Sequence, residues 1–212
     1  MIIRKEAPGD FRAVEELTRK AFWNLNGPGC NEHYLAHILR GHKDFLPELD
    51  FVAELDGKII ANIMYTKAKL TAGDGEVKEV LTFGPLSVMP EYQRKGYGKK
   101  LLEYSFSQAA AQGYDAIVIF GNPENYYARG FKSCIKYHIS VWNGIYPTAL
   151  LVRELRPGAI PENNWDFSES EAFELDEQAA LDFDKGFEPL PREYRASQEL
   201  FYIYSHSRVL DG

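Results

Sequence analysis

The first fifty residues combine one short apolar run with two helical repeats. Residues 2–6 begin with β-branched side chains and predict a strand. Over residues 11–21, apolar side chains recur every three or four positions, which is the spacing of one face of an amphipathic helix. A glycine-rich loop follows at 26–29, and residues 34–39 repeat the helical spacing. This part of the chain is therefore predicted to form a strand and two helices.

After residue 50 the pattern changes from helical to extended. Segments 51–55, 58–70 and 77–88 are rich in β-branched and apolar residues, and short turn sequences separate them. Connections this short join neighbouring strands in antiparallel order, so the three segments predict a meander. Gly84-Pro85 lies inside the third strand, and we expect a bulge there because proline has no N–H to donate to a ladder.

The next elements predict a crossover to a parallel strand. Residues 99–112 have helical spacing, and 116–120 form a wholly apolar run that is typical of a central strand. A helix between two strands normally makes them parallel neighbours. A short helix or turn is expected over 122–129, and further strands over 133–141 and 149–155. The predicted class is α+β, with a mixed, mostly antiparallel sheet of about seven strands and about four helices.

Glycine and positive charge are concentrated in the loop that leads into the predicted helix at residue 99. Gly96 and Gly98 let backbone amides approach a ligand closely, and a helix start presents unpaired N–H groups. Arg94, Lys95 and Lys99 add positive charge at the same place. Together these features predict a phosphate-binding loop, and the alternative is a helix start with solvated lysines.

Two familiar phosphate motifs fit this loop poorly. A dinucleotide-binding fold would have a third glycine where Leu101 stands, and a P-loop would have Ser or Thr where Lys100 stands. Both motifs also occur near the start of a parallel α/β array, whereas this loop follows an antiparallel meander.

The spacing Gln93-x-x-Gly96-x-Gly98, placed after a meander strand, resembles the pyrophosphate loop of the GNAT superfamily of acetyl-CoA-dependent N-acetyltransferases. The predicted element order over residues 1–155 also resembles that fold. The local sequences at 84–86 and 121–124 are most similar to those of a bacterial subgroup of predicted acetyltransferases.

A second motif strengthens the resemblance. In the family a Tyr lies four residues before a Gly-Phe pair, and Tyr126 has this spacing before Gly130-Phe131. The resemblance implies acetyl-CoA as cosubstrate and no metal. It also implies that the pantetheine arm lies beside the strand before the loop. The implied cofactor-binding residues are Leu86, Ser87, Val88, Gln93, Arg94, Lys95, Gly96, Tyr97, Gly98, Lys99 and Asn122.

The catalytic assignment also comes from the resemblance. Tyr126 is the implied general acid for the leaving thiolate, and its alternative role is packing a helix against the sheet. Tyr127 is its adjacent neighbour and would point about 100° away on a helix. Some family members carry a Glu where Thr82 stands, and Glu79, three residues earlier, would lie on the opposite strand face. The resemblance therefore assigns no residue of this chain as a general base.

Cysteine and histidine residues are the other candidates for chemistry. Cys30, His33, His37 and His42 do not form a known metal motif, since His42 lies beyond Gly41, and no metal site is predicted. In the family the first two helices border the acceptor site. The candidate contacts for acceptor specificity are therefore Trp23, Tyr34 and His37.

Composition narrows the class of protein. The chain has 212 residues with 24 Lys and Arg against 31 Asp and Glu, a formal net charge of -7. We count 13 acidic and 5 basic residues in 156–212, so residues 1–155 carry a net charge of +1. This balance argues against nucleic-acid binding. We expect neither a membrane span nor a signal peptide, and the 2 cysteines predict a reducing, cytoplasmic setting.

The acidic segment 156–212 is rich in aromatic residues, so we expect it to pack on the 1–155 acetyltransferase domain rather than form a solvated tail. It is a candidate cover for the acceptor cleft or a homodimer contact. The predicted function is acetyl transfer from acetyl-CoA to a primary amine of a small molecule. Alternatives are a non-catalytic CoA-binding sensor or scaffold, and an acetyltransferase that acts on a protein amine.

Overall fold

The protein is described by a computed structural model, which defines residues 1–142 and 144–210. The predicted extension 156–212 therefore ends outside the described residues. The helices are α1 (Phe11–Phe22), α2 (Glu32–Leu39), α3 (Tyr97–Ala111), α4 (Pro123–Tyr126), α5 (Glu177–Asp184) and α6 (Ala196–His206). The strands are β1 (Ile2–Lys5), β2 (Phe51–Leu55), β3 (Lys58–Ala72), β4 (Val77–Val88), β5 (Ala116–Phe120), β6 (Lys132–Ser133), β7 (Ile139–Ser140), β8 (Tyr146–Pro147), β9 (Leu150–Glu154), β10 (Trp165–Ser168) and β11 (Arg208–Val209).

The chain divides into two compact units. The first unit contains Met1–Tyr65, Phe83–Gln108 and Glu171–Gln198, and the second contains Thr66–Thr82, Ala109–Ser170 and Glu199–Gly212. Each unit therefore draws on residues from both sides of position 155.

In the first unit, helices cover both faces of an antiparallel ladder. β1 pairs with β2, and β2 pairs with the start of β3. Asn62 of β3 accepts a hydrogen bond from Thr18 of α1 (3.2 Å), whereas Tyr65, three residues later, shares a hydrogen bond with Ser105 of α3 (2.8 Å). Since side chains alternate along a strand, α1 and α3 lie on opposite faces.

In the second unit, parallel and antiparallel pairings meet. Leu81 of β4 pairs in parallel with Ile117 of β5, which confirms the predicted crossover, and β5 pairs antiparallel with β9. β10 pairs antiparallel with the end of β3, where Trp165 lies opposite Ala72. This strand and its buried Trp165 come from the acidic segment.

The predicted mixed sheet is confirmed, but the element counts were too low. The described residues contain six α-helices against about four predicted, and eleven strands, of which nine form the mixed sheet against about seven predicted. The strand predicted over 133–141 is wrong: Cys134–Tyr137 forms a 3₁₀ turn, in which His138 N–H donates to Ile135 O (3.1 Å). His138 then takes a left-handed conformation (φ 52°), which no extended strand permits.

Gly84-Pro85 is a cis peptide within β4, which runs without interruption through it. Every helix in the described part of the chain is too short or too polar to traverse a lipid bilayer.

Candidate functional site

The glycine loop (residues 93–98) connects β4 to α3 in the first unit. Strand β4 ends at Val88, and one 3₁₀ turn, Pro90–Tyr92, precedes the loop. Gln93 Nε2 donates a hydrogen bond to Val88 O (3.0 Å), which ties the loop back to the strand. The sequence motif is therefore folded as a strand, a tight loop and a helix start, in the order predicted.

Glycine is required at positions 96 and 98 for two different physical reasons. Gly96 has φ +86°, a left-handed conformation that L-residues rarely adopt, with open space where a side chain would be. Arg94 also has a positive φ, of 58°. Gly98 is limited by space instead, since a Cβ there would lie 3.1 Å from Val88 Cγ2. Gly98 thus allows α3 to start close against β4.

The first turn of α3 can supply hydrogen-bond donors to an anion. Lys100 N–H donates to Gly96 O (3.1 Å), so helical hydrogen bonding begins at Gly96. The amides of Tyr97, Gly98 and Lys99 precede that bond and lie at the positive end of the helix dipole. They are well suited to hold a pyrophosphate.

Two residues that the sequence analysis did not single out accompany the loop. The Tyr92 ring lies between two lysines, with Lys58 Nζ 5.8 Å and Lys95 Nζ 5.7 Å from its centroid. Lys58 starts β3 and also pairs with Glu91 (3.6 Å). Because Lys58 is far from the glycine loop in sequence, no sequence pattern indicated that the two lie close together. Lys58 therefore adds a cation beside the loop, and Glu91 partly balances its charge.

Along β4 the side-chain alternation is interrupted near Gly84-Pro85. The Phe83 ring lies 6.5 Å from Phe106 of α3, and Val88 also faces α3, against Gly98. In a regular strand, the odd offset of five would place the side chains of Phe83 and Val88 on opposite faces. Ser87 faces α1, where its hydroxyl donates to Thr18 (3.1 Å). This reversal is the kind of local irregularity that a bulge produces.

In the second unit, Tyr126 and Asn122 lie together after β5. Asn122 caps α4, since its side chain accepts a hydrogen bond from Glu124 N–H (3.0 Å). The Tyr126 ring packs so closely on the backbone at Gly121 that a Cβ there would lie 2.6 Å from Tyr126 Cε2. Tyr127, in contrast, is 69% exposed. The two tyrosines therefore differ in orientation, as predicted.

The environment of Tyr126 keeps its phenol protonated. Burial raises the pKa of Tyr126 to about 12, and nearby Tyr204 of α6 adds to the rise. The ring also contacts Phe131 edge to face, with centroids 5.5 Å apart. Tyr126 is therefore a hydrogen-bond donor throughout the neutral pH range.

The strand face expected to carry a general base offers no carboxylate at Thr82, which is buried. Glu79 forms an exposed ion pair with Lys67 (3.0 Å). Its carboxylate is therefore engaged at the surface of the second unit.

A buried acidic cluster in the first unit was missed from the sequence. Arg40 makes paired hydrogen bonds to Glu6 (2.8 and 2.9 Å) and a further one to Glu15 (3.0 Å). Burial, followed by a hydrogen bond with Glu6, raises the pKa of Asp50 to about 9. These residues are far apart in sequence, so no motif could have joined them.

The cysteine and histidine candidates are divided among different partners. Cys30 Sγ lies 3.5 Å from His33 Nδ1, and His33 Nε2 lies 3.2 Å from Asp184 of α5. His37 instead contacts Glu15 (2.9 Å). Among the residues with a described position, no group of three or more His, Cys, Asp or Glu side chains could hold a metal ion.

The predicted specificity contacts on α1 and α2 meet the acidic segment. Trp23 Nε1 donates to Pro191 O (2.9 Å), while the rings of Tyr34 and His37 lie 5.5 Å and 4.5 Å from that of Phe183. Residues 183–191 thus contact side chains that were expected to border an acceptor, although His37 remains exposed.

A cavity of about 500 Å³ lies where α1 meets the turn after α5. It is lined by Arg12, Glu16, Arg19, Lys20, Lys185, Gly186, Phe187 and Glu188. Its lining includes none of the predicted cofactor or catalytic residues. Arg12 and Arg19 donate to Gly186 O (2.5 Å) and Glu188 O (2.9 Å), so these cations hold the turn in place.

Known proteins resemble this chain in sequence. The uncharacterized N-acetyltransferase YhbS of Escherichia coli strain K12 is 29% identical over 133 residues, which is 62% of this chain and 74% of YhbS. The uncharacterized N-acetyltransferase YjhQ of the same strain is 28% identical over 88 residues, or 42% of this chain. The matched region spans about half of YjhQ (48%).

Solved structures resemble the fold. The crystal structure of E. coli YhbS in complex with CoA has a TM-score of 0.71 and 25% identity, covering 82% of this chain and 92% of YhbS. A GNAT family acetyltransferase from Brucella melitensis in complex with acetyl-CoA has a TM-score of 0.63 and 26% identity, covering 81% and 97%. Residues 15–132 match the family described as the Acetyltransferase (GNAT) family. The chain belongs to this family.

Proposed function

We propose that this protein is an N-acetyltransferase that transfers the acetyl group of acetyl-CoA directly to a primary amine of a small molecule. The observation that carries the proposal is the glycine loop, where the α3 amides and the positive charge of Arg94, Lys95 and Lys99 suit the cofactor's pyrophosphate. The two CoA-bound relatives support the same cosubstrate.

In this proposal each part of the cofactor has its own protein contacts. The pyrophosphate lies on the amides of Tyr97, Gly98 and Lys99. The pantetheine arm runs along Leu86, Ser87 and Val88, whose backbone groups pair with its amides as a neighbouring strand would. Gln93 holds the loop against β4 through its bond to Val88 O. Asn122 is proposed to contact the cofactor through the backbone, since its side chain caps α4.

The chemical step forms a C–N bond and breaks a C–S bond. The neutral amine attacks the thioester carbonyl, the tetrahedral intermediate expels the CoA thiolate, and the amine loses a proton. Tyr126 donates a hydrogen bond to the departing sulfur and stabilises its charge. With a pKa of about 12 against about 8.5 for a reference thiol, full proton transfer from Tyr126 is uphill. Its proposed role is therefore mainly stabilisation of the thiolate.

With no carboxylate at Thr82 and with Glu79 paired to Lys67, the acceptor amine binds already neutral or loses its first proton to water. The proton released when the amide forms passes to water. The lack of a carboxylate at Thr82 also favours the second candidate function, a CoA-binding sensor without turnover. An acetyltransferase that acts on a protein amine would use the same chemistry.

Several broader expectations accompany the proposal. The acetyltransferase part is assigned to residues 1–155 and the acidic, aromatic-rich extension to 156–212. The partners are acetyl-CoA and an amine, without nucleic acid or membrane, and the extension is the candidate for a homodimer contact. We also propose a cytoplasmic location, because a chain of this size with only 2 cysteines is typical of a reducing compartment.

Thiol release from acetyl-CoA over a panel of primary amines tests the proposal, together with calorimetric titration of CoA. We expect CoA binding, and turnover that requires both acetyl-CoA and an amine. Tight CoA binding without turnover of any small amine or basic peptide would favour the sensor. Turnover of peptides alone would move the acceptor class to proteins.

A further inference from the structure

Part of the acidic segment lies directly against β4 in the first unit. Ala172 belongs to an apolar cluster with Leu35 and Leu39 of α2 and Met64 of β3, and Phe173 packs on this cluster. A Cβ on Gly84 would lie 3.2 Å from Phe173 Cε1. The Phe173 ring thus occupies the space that a side chain at position 84 would fill.

The opposite face of β4 is closed at this level. Phe83, Phe106 and Tyr65 pack together there and are 7%, 5% and 0% exposed. Gly84 and Phe173 are themselves only partly buried. A group placed beside the Gly84 backbone therefore meets Phe173 on the side that retains access to solvent.

The position of the thioester rests on the function proposed above. If the pyrophosphate lies on the first turn of α3, the pantetheine arm runs back along β4 from Val88 past Leu86. A strand rises by about 3.3 Å per residue, so Gly84 lies about 13 Å upstream of Val88 along the strand. The acyl end of an extended arm then reaches the level of Gly84.

We propose that Phe173 closes the acyl end of the cofactor groove and restricts the enzyme to short acyl groups. An acetyl group is short enough to stay along the backbone edge of β4, whereas a longer chain needs the volume that the Phe173 ring fills. Phe173 is a specificity-determining residue supplied by a segment beyond the family's matched region, which ends at residue 132.

Calorimetric titration with CoA, acetyl-CoA, butyryl-CoA and hexanoyl-CoA tests this inference without knowledge of the acceptor. We expect the wild type to bind hexanoyl-CoA at least tenfold more weakly than acetyl-CoA. Phe173→Ala should bring the two within about threefold of each other. Leu175→Ala is the matched control, since Leu175 packs on the same cluster and should leave the preference unchanged.

The outcomes separate this inference from the proposed function. Equal affinity of the wild type for acetyl-CoA and hexanoyl-CoA, or an unchanged preference in Phe173→Ala, would overturn the role of Phe173 and leave the proposed function standing. Failure of the wild type to bind CoA itself would overturn both. Should Phe173→Ala not fold, Phe173→Leu retains an apolar cover and is expected to relax the preference partially, so no relaxation would count against the role.

Discussion

Tyr126 and Tyr127 are adjacent, but only Tyr126 packs against the backbone at the end of β5. Tyr126→Phe removes the hydroxyl that is proposed to stabilise the thiolate. We expect kcat to fall by at least tenfold, while the Kd for acetyl-CoA changes less than twofold. Steady-state kinetics of both variants provide the measurement. Tyr127→Phe should retain near-normal kcat, and equal losses in the two variants would contradict the assignment.

Asp50 has an unusual pKa for a carboxyl group. Its folded-state pKa of about 9 lies above the unfolded value near 3.9, so stability that is fully present below about pH 4 is lost as pH rises towards 9. Asp50→Asn cannot ionise and avoids this loss. We expect it to raise the free energy of unfolding by roughly 1–3 kcal/mol at pH 7, with a smaller gain at pH 5. Urea denaturation at both pH values tests this; a gain that grows towards acid would contradict it.

At the residue scale, sequence analysis succeeded where the chemistry lies within a short stretch of chain. Gly96, Gly98 and Tyr126 could be identified because their spacing is local. The Asp50 cluster and the Phe173 contact could not, since each joins residues that only folding brings together. Burial changes the chemistry of a carboxyl group without leaving a motif.

Among the secondary-structure elements, the contact between α3 and β4 sets how closely the helix start approaches the strand at the proposed cofactor loop. Gly98→Ala places a methyl group 3.1 Å from Val88 Cγ2, so the helix start must move away from the strand. We expect the Kd for acetyl-CoA to rise at least fivefold, with little loss of stability because alanine favours the helix. Val88→Ala removes the obstructing methyl groups. Titration calorimetry should therefore show recovery in the double variant, and its absence would contradict steric control.

Helices and strands were predicted well where one periodicity of apolar side chains persisted over a long stretch of sequence. The strands of the meander and the helix after the glycine loop show this. The strand predicted over 133–141 failed because its alternating pattern is broken by a 3₁₀ turn and the left-handed His138. β10 was not predicted, since its four residues, Trp165–Ser168, are too few to show a period.

At the scale of the whole molecule, residues 156–210 supply parts of both units. Arg19 of α1 is buried, and its ion pair with Asp184 (2.6 Å) depends on this segment. Trp165 is likewise part of the core of the second unit. Truncation after Leu155 leaves Arg19 unpaired and exposes that core, so we expect loss of cooperative unfolding. Circular dichroism during urea denaturation tests this, with Asp184→Asn as a milder comparison; a fully cooperative truncated protein would contradict it.

Part of the acidity of the 156–212 segment is paired with basic side chains in the folded protein. Several acidic side chains of the extension form ion pairs, including Asp184 with Arg19, Glu171 with Lys43 and Asp182 with Lys185. The composition showed which part of the chain is acidic. It could not show which acidic side chains form ion pairs, since these pairs depend on contacts that arise on folding.

A crystal structure of the protein with acetyl-CoA would show whether the glycine loop binds the cofactor. We predict pyrophosphate oxygens within hydrogen-bonding distance of the Gly98 and Lys99 amides, and the thioester beside β4 near Gly84. Acetyl-CoA bound at another surface, with no density at the glycine loop, would contradict it.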